Sequence, residues 1–512
     1  MHSGTAGDDK GGPTEAVAGA RPALAILLGI NLFNYIDRQI LSAVLPRLQL
    51  DGTIIDPADP DPNFKIGLLT SAFMVTYMLF SPVFGWLDGR GARRWVILGT
   101  GVTLWSLASG ASGLATGYWM LFATRCLVGI GEAAYAPVAS AMLSDAYPAR
   151  QRGPVLAIFN MAIPVGSALG FAIGGLIATA TGDWRPAFWF TFSGLLLGVF
   201  CFTRKELPRP VPVAGADKPS YGTVLNRLTR IRSFVLCCAG MTAITFVLGG
   251  VAAWVPVYFY QREARFEITP AAIAKMEKEL PAAEMNKLRP LADGTERDYP
   301  TMKKAITDAM GDGAKAHSAK VFALSATAAS PEPGTLSVIF GGILVVGGLT
   351  ATATGAWLGE TLRRRKVRGA YFLVIAGGAV FAIPCFLGIL YAPLPLSWAF
   401  AFLAIFGLFL HTGPGNTILA NVVRSDMRAT AFAINVLVIH ALGDAISPTL
   451  IGFVADRSSL QTAFTLTTTM IGVGAVLWFL GARALDEDTA KAEASVTLPA
   501  APPGVQSTPA TQ

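Results

Sequence analysis

Asp37 and Arg38 stand side by side in "NYIDRQIL", and Arg125 and Glu132 share "RCLVGIGEAAY", two stretches that are otherwise apolar. His440 and Asp444 occur in "HALGDAIS", with His411 in a further apolar run. An ionisable side chain at the centre of a bilayer costs roughly 2.5 to 3.5 kcal/mol even on lenient insertion scales. Such groups must face one another or a cavity. The chemistry open to them is ion pairing, proton carriage and the holding of an anion by arginine. A plainer reading competes for each: a buried salt bridge that fastens helices, or a histidine that packs and hydrogen-bonds.

Depth along helices separates the roles. Asp37, Arg38 and Arg125 lie roughly 10 to 12 Å from the outer ends of their helices, so Asp37 and Arg125 are expected to pair. Glu132 follows Arg125 on the same helix face but about 10 Å deeper, with no obvious cation at its level. A carboxyl kept dry and unpaired is suited to carry a proton at neutral pH. Glu132 is therefore the expected proton carrier.

The elements that position these groups follow from composition. The 512 residues are 53% hydrophobic and 14% charged, with mean hydropathy +0.51, which excludes an ordinary soluble protein. Apolar segments of bilayer length run near Ala23 to Leu45, Ile66 to Leu87, Trp95 to Leu114, Trp119 to Leu143, Pro154 to Ala178 and Pro186 to Phe202. Six more run near Phe234 to Tyr260, Leu336 to Leu358, Ala370 to Tyr391, Trp398 to Val422, Ala429 to Val454 and Ala463 to Leu480. They are numbered helices 1 to 12, about twelve spans by length, and the fold class is an all-α membrane protein. Residues 1–21 lack the pattern of a cleaved secretory signal. Cys126, Cys201, Cys237, Cys238 and Cys385 all fall in or beside apolar spans, where no disulfide framework or zinc site is implied.

The formal charge of +7 is unevenly placed. One side collects Arg90, Arg93, Arg94, Arg150, Arg152, the basic residues of 204–233, the run Arg363 to Arg368, Arg424 and Arg428. This asymmetry reads as orientation in a cell membrane, with both termini cytoplasmic, and not as nucleic-acid binding. The linker 204–233 divides the chain into six-helix domains, 22–203 and 234–482, flanked by tails 1–21 and 483–512, the latter expected to be disordered. The halves echo each other: "GWLDGRGARR" with "AWLGETLRRRKVRG", and "RGPVLAIFN" with "RATAFAIN". Such internal repetition marks secondary transporters. The polar insertion 261–333 breaks the symmetry. Thr269 before Pro270, with Pro281 and Pro300, predicts two or three short helices over the outer mouth; a disordered or peripheral insertion with few contacts to the bundle is the other reading. Gly166, Gly170 and Gly174 recur every turn of helix 5 and permit close helix contact.

No G-x-x-x-x-G-K-[ST], H-E-x-x-H or G-x-S-x-G occurs, so neither an ATP-driven pump nor a hydrolytic enzyme is expected, nor a bound cofactor or metal. An ion gradient is the remaining energy source. At "NYIDR", "RCLVGIGEAAY", "IPVGSALGF" and "HALGDAISPTLIGFVAD" the sequence resembles the major facilitator superfamily, and within it the spinster-like lipid transporters. The resemblance implies a rocker-switch carrier with its site between two six-helix domains. It assigns coupling and headgroup binding to Asp37, Arg38, Arg125 and Glu132, with Asp37 and Glu132 as the proton-coupling pair and Arg38 and Arg125 as substrate-binding residues. Tyr35, Asn160, Asn435 and His440 are further substrate-binding candidates, and Asp88, Arg90 and Asp444 are gating candidates. The loop after helix 2 departs from the superfamily's G-x-x-x-D-R-x-G-R-R, since "GWLDGRGARR" places Asp88 one position early. The expected function is proton-coupled transport of a lipid-like amphipathic anion by a monomer among membrane lipids. A small organic-anion symporter is the alternative, and a receptor or scaffold on the same fold is a third class.

Overall fold

The computed structural model describes residues 15–56, 59–209, 221–311, 313–424 and 427–497. The expectations for residues 1–14, for Lys218 in the linker and for the last tail residues lie outside the described residues. Helices 1 to 6 are Ala20–Leu48, Pro62–Gly89, Arg94–Ser112, Tyr118–Ala146, Pro154–Thr181 and Arg185–Phe202. Helices 7 to 12 are Arg232–Glu263, Pro333–Arg364, Ala370–Tyr391, Leu394–Val422, Thr430–Arg457 and Leu460–Ala482. Ten of these are long and apolar enough to cross a membrane by length and composition. Helices 1 and 3 fall short by that measure. Asn31, Asn34, Asp37, Arg38 and Gln39 dilute the first, and threonine, serine and glycine the second, yet both pack among the others.

Helix 1 lies close along helix 5 because the glycine stripe puts no helix 5 side chain at these contacts. A Cβ on Gly166 would come within 2.6 Å of the Leu32 carbonyl oxygen, and one on Gly174 within 3.0 Å of the Ala43 Cβ. Buried Trp105 fills the first half, and buried Trp254 and Trp478 the second. Leu79, Leu196 and Val476 stay exposed on the outer surface, as lipid-facing residues do. Helix 11 carries a wider turn over His440–Asp444, a distortion that often marks a functional site.

The insertion folds. Residues Arg265–Phe266 pair antiparallel with Arg297–Asp298, among short helices Pro270–Glu279, Ala282–Leu288, Tyr299–Met310 and Gly313–Ser325. Thr269 caps the first, its Oγ1 accepting from Ala272 N at 3.1 Å. Phe266, Met302, Ile306 and Phe322 form its core, continuous with Tyr260 of helix 7. That continuity replaces the picture of a peripheral element with few contacts to the bundle. At the opposite face, Glu206 of the linker caps helix 3, accepting from Arg94 N at 3.2 Å and Trp95 N at 3.0 Å. The C-terminal segment also departs from expectation: Leu485–Thr497 is helical. Leu485 is buried and Asp488 caps helix 7, accepting from Ser233 N at 2.9 Å, so the segment has a docking site that disorder would forgo.

Cross-half hydrogen bonds and ring contacts gather between the insertion face and mid-depth. Ser71 Oγ meets Thr449 Oγ1 at 2.6 Å, Gly334 N donates to Thr179 Oγ1 at 3.0 Å, and Phe171 meets Phe340 with centroids 5.1 Å apart. The cleft between the halves is thus closed on the insertion face.

Candidate functional site

Arg38 Nε donates to Glu132 Oε2 at 2.7 Å, with side-chain exposures of 13% and 0%. The Arg38 guanidinium lies over the rings of Tyr35, Phe73 and Tyr77 at 5.0, 5.2 and 4.9 Å. Cation–π contacts of this kind contribute about 0.5 to 2 kcal/mol. Glu132 Oε1 has no hydrogen-bond partner; the Asn34 amide acts on the carboxyl without meeting that oxygen in bonding geometry.

This geometry corrects the expected pairing, in which Asp37 met Arg125 and Glu132 had no cation. A helical side chain leans toward its own N-terminus. Helix 1 starts at the face opposite the insertion, and helix 4 at the insertion face. Arg38 therefore leans away from the insertion and Glu132 toward it, so the two converge across the depth difference. Asp37 and Arg125 lean past each other for the same reason.

Asp37, fully buried, turns into the first half, where Oδ1 accepts from Ser109 Oγ at 2.5 Å and Oδ2 has no partner. Arg125 donates from Nη2 to Ser112 Oγ at 3.3 Å and lies 5.1 Å over the Phe188 ring, leaving Nε without a partner. Asp37 and Arg125 influence each other electrostatically but form no ion pair.

Arg38 opens onto a cavity of about 450 Å³ between the halves. One end is polar: Tyr35, Arg38, Gln39 and Ser42 of helix 1 face His440 and Asp444 of helix 11. His440 Nδ1 lies 3.0 and 2.9 Å from the two Asp444 oxygens. The other end is an apolar arm inside the second half, walled by Phe259, Phe340, Phe386, Ile389, Ala401 and Ala404 from helices 7 to 10. Near the insertion face Arg262 Nη1 donates to the Ile389 carbonyl at 2.8 Å, and the tilted rings of Phe259 and Trp398 meet with centroids 4.2 Å apart.

The structure thus brings Tyr35, Arg38 and His440 to one cavity, with Glu132 directly behind Arg38. Asp444, a gating candidate, lines the cavity wall beside His440, within the wide turn. Asn160 is exposed and Asn435 is buried with its Oδ1 unpartnered; neither lines the cavity. Asp88 is bound to Arg94 of its own half at 2.7 Å and to Arg209 of the linker at 3.4 Å, while Arg94 also reaches Asp145 at 2.8 Å. Arg90 takes no part and stacks on Trp86 at 4.1 Å. His411 stacks on Trp478 and packs in the core, away from the cavity. Gln39 and Ser42 were missed, although with Tyr35 and Arg38 they follow helical spacing on one face of helix 1.

Residues 27–275 match the Major Facilitator Superfamily. Protein spinster homolog 3 of Danio rerio is 31% identical over 447 residues, covering 85% of this chain and 77% of the relative. Protein spinster homolog 1 of Homo sapiens is 31% identical over 445 residues, covering 85% and 72%. Among solved structures, a bacterial homolog to the human lysosomal transporter Spinster, inward-facing and unoccupied, superposes with TM-score 0.68 at 17% identity. That match covers 92% of this chain and 98% of the other. The occupied form of the same homolog gives TM-score 0.69 at 16% identity, with the same coverage. The twelve-helix architecture, the repeated halves and the central cavity agree with these likenesses: the chain belongs to the spinster family of major facilitator superfamily transporters.

Proposed function

We propose that the protein is a proton-coupled transporter of an amphipathic lipid-like anion, of lysophospholipid or sphingolipid type, working by alternating access. The observation that carries this reading is the shape of the cavity, in which one cation at the polar end continues into an apolar arm. An anionic headgroup pairs with Arg38, and a hydrocarbon tail fills the arm among Phe259, Phe386 and Ile389. A small organic anion would leave the arm without an occupant.

Proton coupling follows from competition for Arg38. A substrate anion that takes the guanidinium leaves Glu132 uncompensated in a fully buried position, and a proton neutralises it. Asp37 and Arg125 form a second buried polar set that changes with helix 1, and His440–Asp444 faces Arg38 from the other half. The excess of Lys and Arg on the face opposite the insertion supports cytoplasmic termini.

The test is binding of a lipid panel to purified protein, with anions of one headgroup and increasing chain length. Affinity should rise with chain length, by up to about 0.8 kcal/mol per buried methylene, until the arm is filled. Equal affinity for short and long chains favours the small-anion reading instead.

A further inference from the structure

Asp456, near the end of helix 11, belongs to the second half, yet its carboxylate is spent on the first. Oδ1 accepts from Asn63 N at 3.0 Å and from Asn63 Nδ2 at 2.8 Å, and Oδ2 accepts from Phe64 N at 2.7 Å. Two of the three donors, Asn63 N and Phe64 N, are first-turn backbone amides of helix 2, which no intrahelical carbonyl serves. Asp61 precedes that helix without capping it through its own side chain. The cap therefore comes from across the seam.

The seam is close at this point. A Cβ on Gly67 would lie 2.6 Å from Thr449 Cα, and one on Gly452 2.6 Å from the Asn63 carbonyl carbon, so the backbones of helices 2 and 11 touch. The neighbouring Arg457–Asp61 pair at 3.0 Å is 51% and 38% exposed, where an ion pair contributes little. The insertion reaches the same place. The charges of Asp456 and Asp59 act together on the Lys303 ammonium, whose burial holds its pKa below the ordinary lysine range. Ser318 Oγ donates to the Leu50 carbonyl of the first half at 2.9 Å.

We propose that Asp456 is the gate residue of the insertion face: its carboxylate caps helix 2 across the seam, holding the two halves together there until transport breaks the cap. It is a positioning residue that never touches substrate. A carboxylate that satisfies three donors by charge-assisted bonds provides a discrete closed state. Opening returns those amides to water and leaves the carboxylate to the insertion's lysine. The inference rests on the alternating-access reading, but its test needs no substrate.

Hydrogen–deuterium exchange of the intact protein in lipid nanodiscs reads the gate directly. In Asp456→Ala, exchange should rise about tenfold or more, the change one charge-assisted bond is worth. It should rise at the amides of Asn63 and Phe64 and also at Gly334, whose amide closes the separate seam between helices 5 and 8 on Thr179. A cap that only stabilises helix 2 would leave Gly334 unchanged, and that result overturns the proposal. Arg457→Ala is the control and should move neither seam. If Asp456→Ala does not fold, Asp456→Asn keeps one acceptor and Asn63→Ala removes one donor. Each should give a smaller rise at both seams, and a rise confined to residues 62–66 in both again refutes the gate. Transport, once a substrate is in hand, should show altered kcat with KM for the opposite face changed in the same variants, whereas Arg457→Ala transports normally.

Discussion

Removing Arg38 should be costlier than removing the charge it serves. Glu132 is fully buried, accepts its one ionic hydrogen bond from Arg38 Nε at 2.7 Å, and has a second oxygen already unpartnered. Arg38→Ala leaves that carboxylate uncompensated, which costs about 3 to 5 kcal/mol for a buried pair. Glu132→Gln leaves an amide oxygen where Oε2 was, and the guanidinium keeps its three rings and its contact with the cavity, so the loss is about 1 to 2 kcal/mol. In the double variant no buried charge is stranded. It should recover about 2 to 3 kcal/mol relative to the sum of the singles. The assay is denaturant unfolding of the three variants in detergent, followed by tryptophan fluorescence, with substrate-driven proton flux in liposomes as the functional arm. Glu132→Gln should bind substrate and lose the pH dependence of transport, whereas Arg38→Ala should lose binding at every pH. Additive stability losses, or a larger loss in Glu132→Gln than in Arg38→Ala, refute the pairing as the energetic centre of the site. Unchanged pH dependence in Glu132→Gln moves the proton to His440 and Asp444.

Replacing Ile268 to Ser330 by a flexible linker should lower the melting temperature and the yield. Phe266 and the aromatic face of Tyr260 lose their cover, at about 1.5 to 3 kcal/mol for each large apolar side chain; unchanged stability would show the insertion to be an independent appendage. Gly166→Leu should abolish folding in membranes, because the side chain meets the Leu32 backbone of helix 1, and a stable, active variant would contradict that packing. Ala404→Phe should shorten the longest chain bound without changing affinity for a short-chain anion of the same headgroup. A cysteine placed at Asp293 should be labelled from outside the cell and one at Lys218 only from the cytoplasm, and the reverse pattern overturns the charge-based topology.

The twelve spans were legible because lipid demands about 20 apolar residues per crossing. The repeat was legible because it recurs in loops of fixed charge pattern. Helix 1 was readable despite its polar residues, since Asp37 and Arg38 interrupt an otherwise apolar run. The pairing of its charges was not. Measuring depth from Cα positions set Arg38 and Glu132 at different levels, whereas their side chains reach several ångströms along the helix axes in opposite senses. Tyr35, Gln39 and Ser42 shared a face with Arg38 and were open to the same periodicity argument. The apolar arm was hidden for another reason. Phe386, Ala401 and Ala404 are ordinary residues of hydrophobic spans, and nothing in a single sequence separates a side chain that borders a void from one that fills it. Asp456 lay within a quoted motif, but the Asn63 amide it accepts from is 393 residues earlier in the chain.

Helix 1 carries both signs because its two charges serve different bodies. Asp37 faces Ser109 and the Thr191 hydroxyl beyond it, inside the first half, whereas Arg38 faces the cavity with Glu132 at its back. A rotation of about 100° per residue separates the two directions. On the proposed reading this division couples substrate to proton without any wire between distant sites, since one guanidinium has two mutually exclusive anionic partners. With Glu132 bound, Arg38 is held back among Tyr35, Phe73 and Tyr77; with substrate bound, the carboxyl must be neutral. The rings make the exchange affordable, because they support the cation while it changes partners. Tyr77→Ala and Phe73→Ala should therefore weaken substrate binding about two- to fivefold each, the equivalent of about 0.5 to 1 kcal/mol for an exposed-edge cation–π contact, while leaving the proton-to-substrate ratio unchanged. A changed ratio in either variant would show that the rings act on Glu132 and not on Arg38, and the exchange of partners would then fail as the account of coupling.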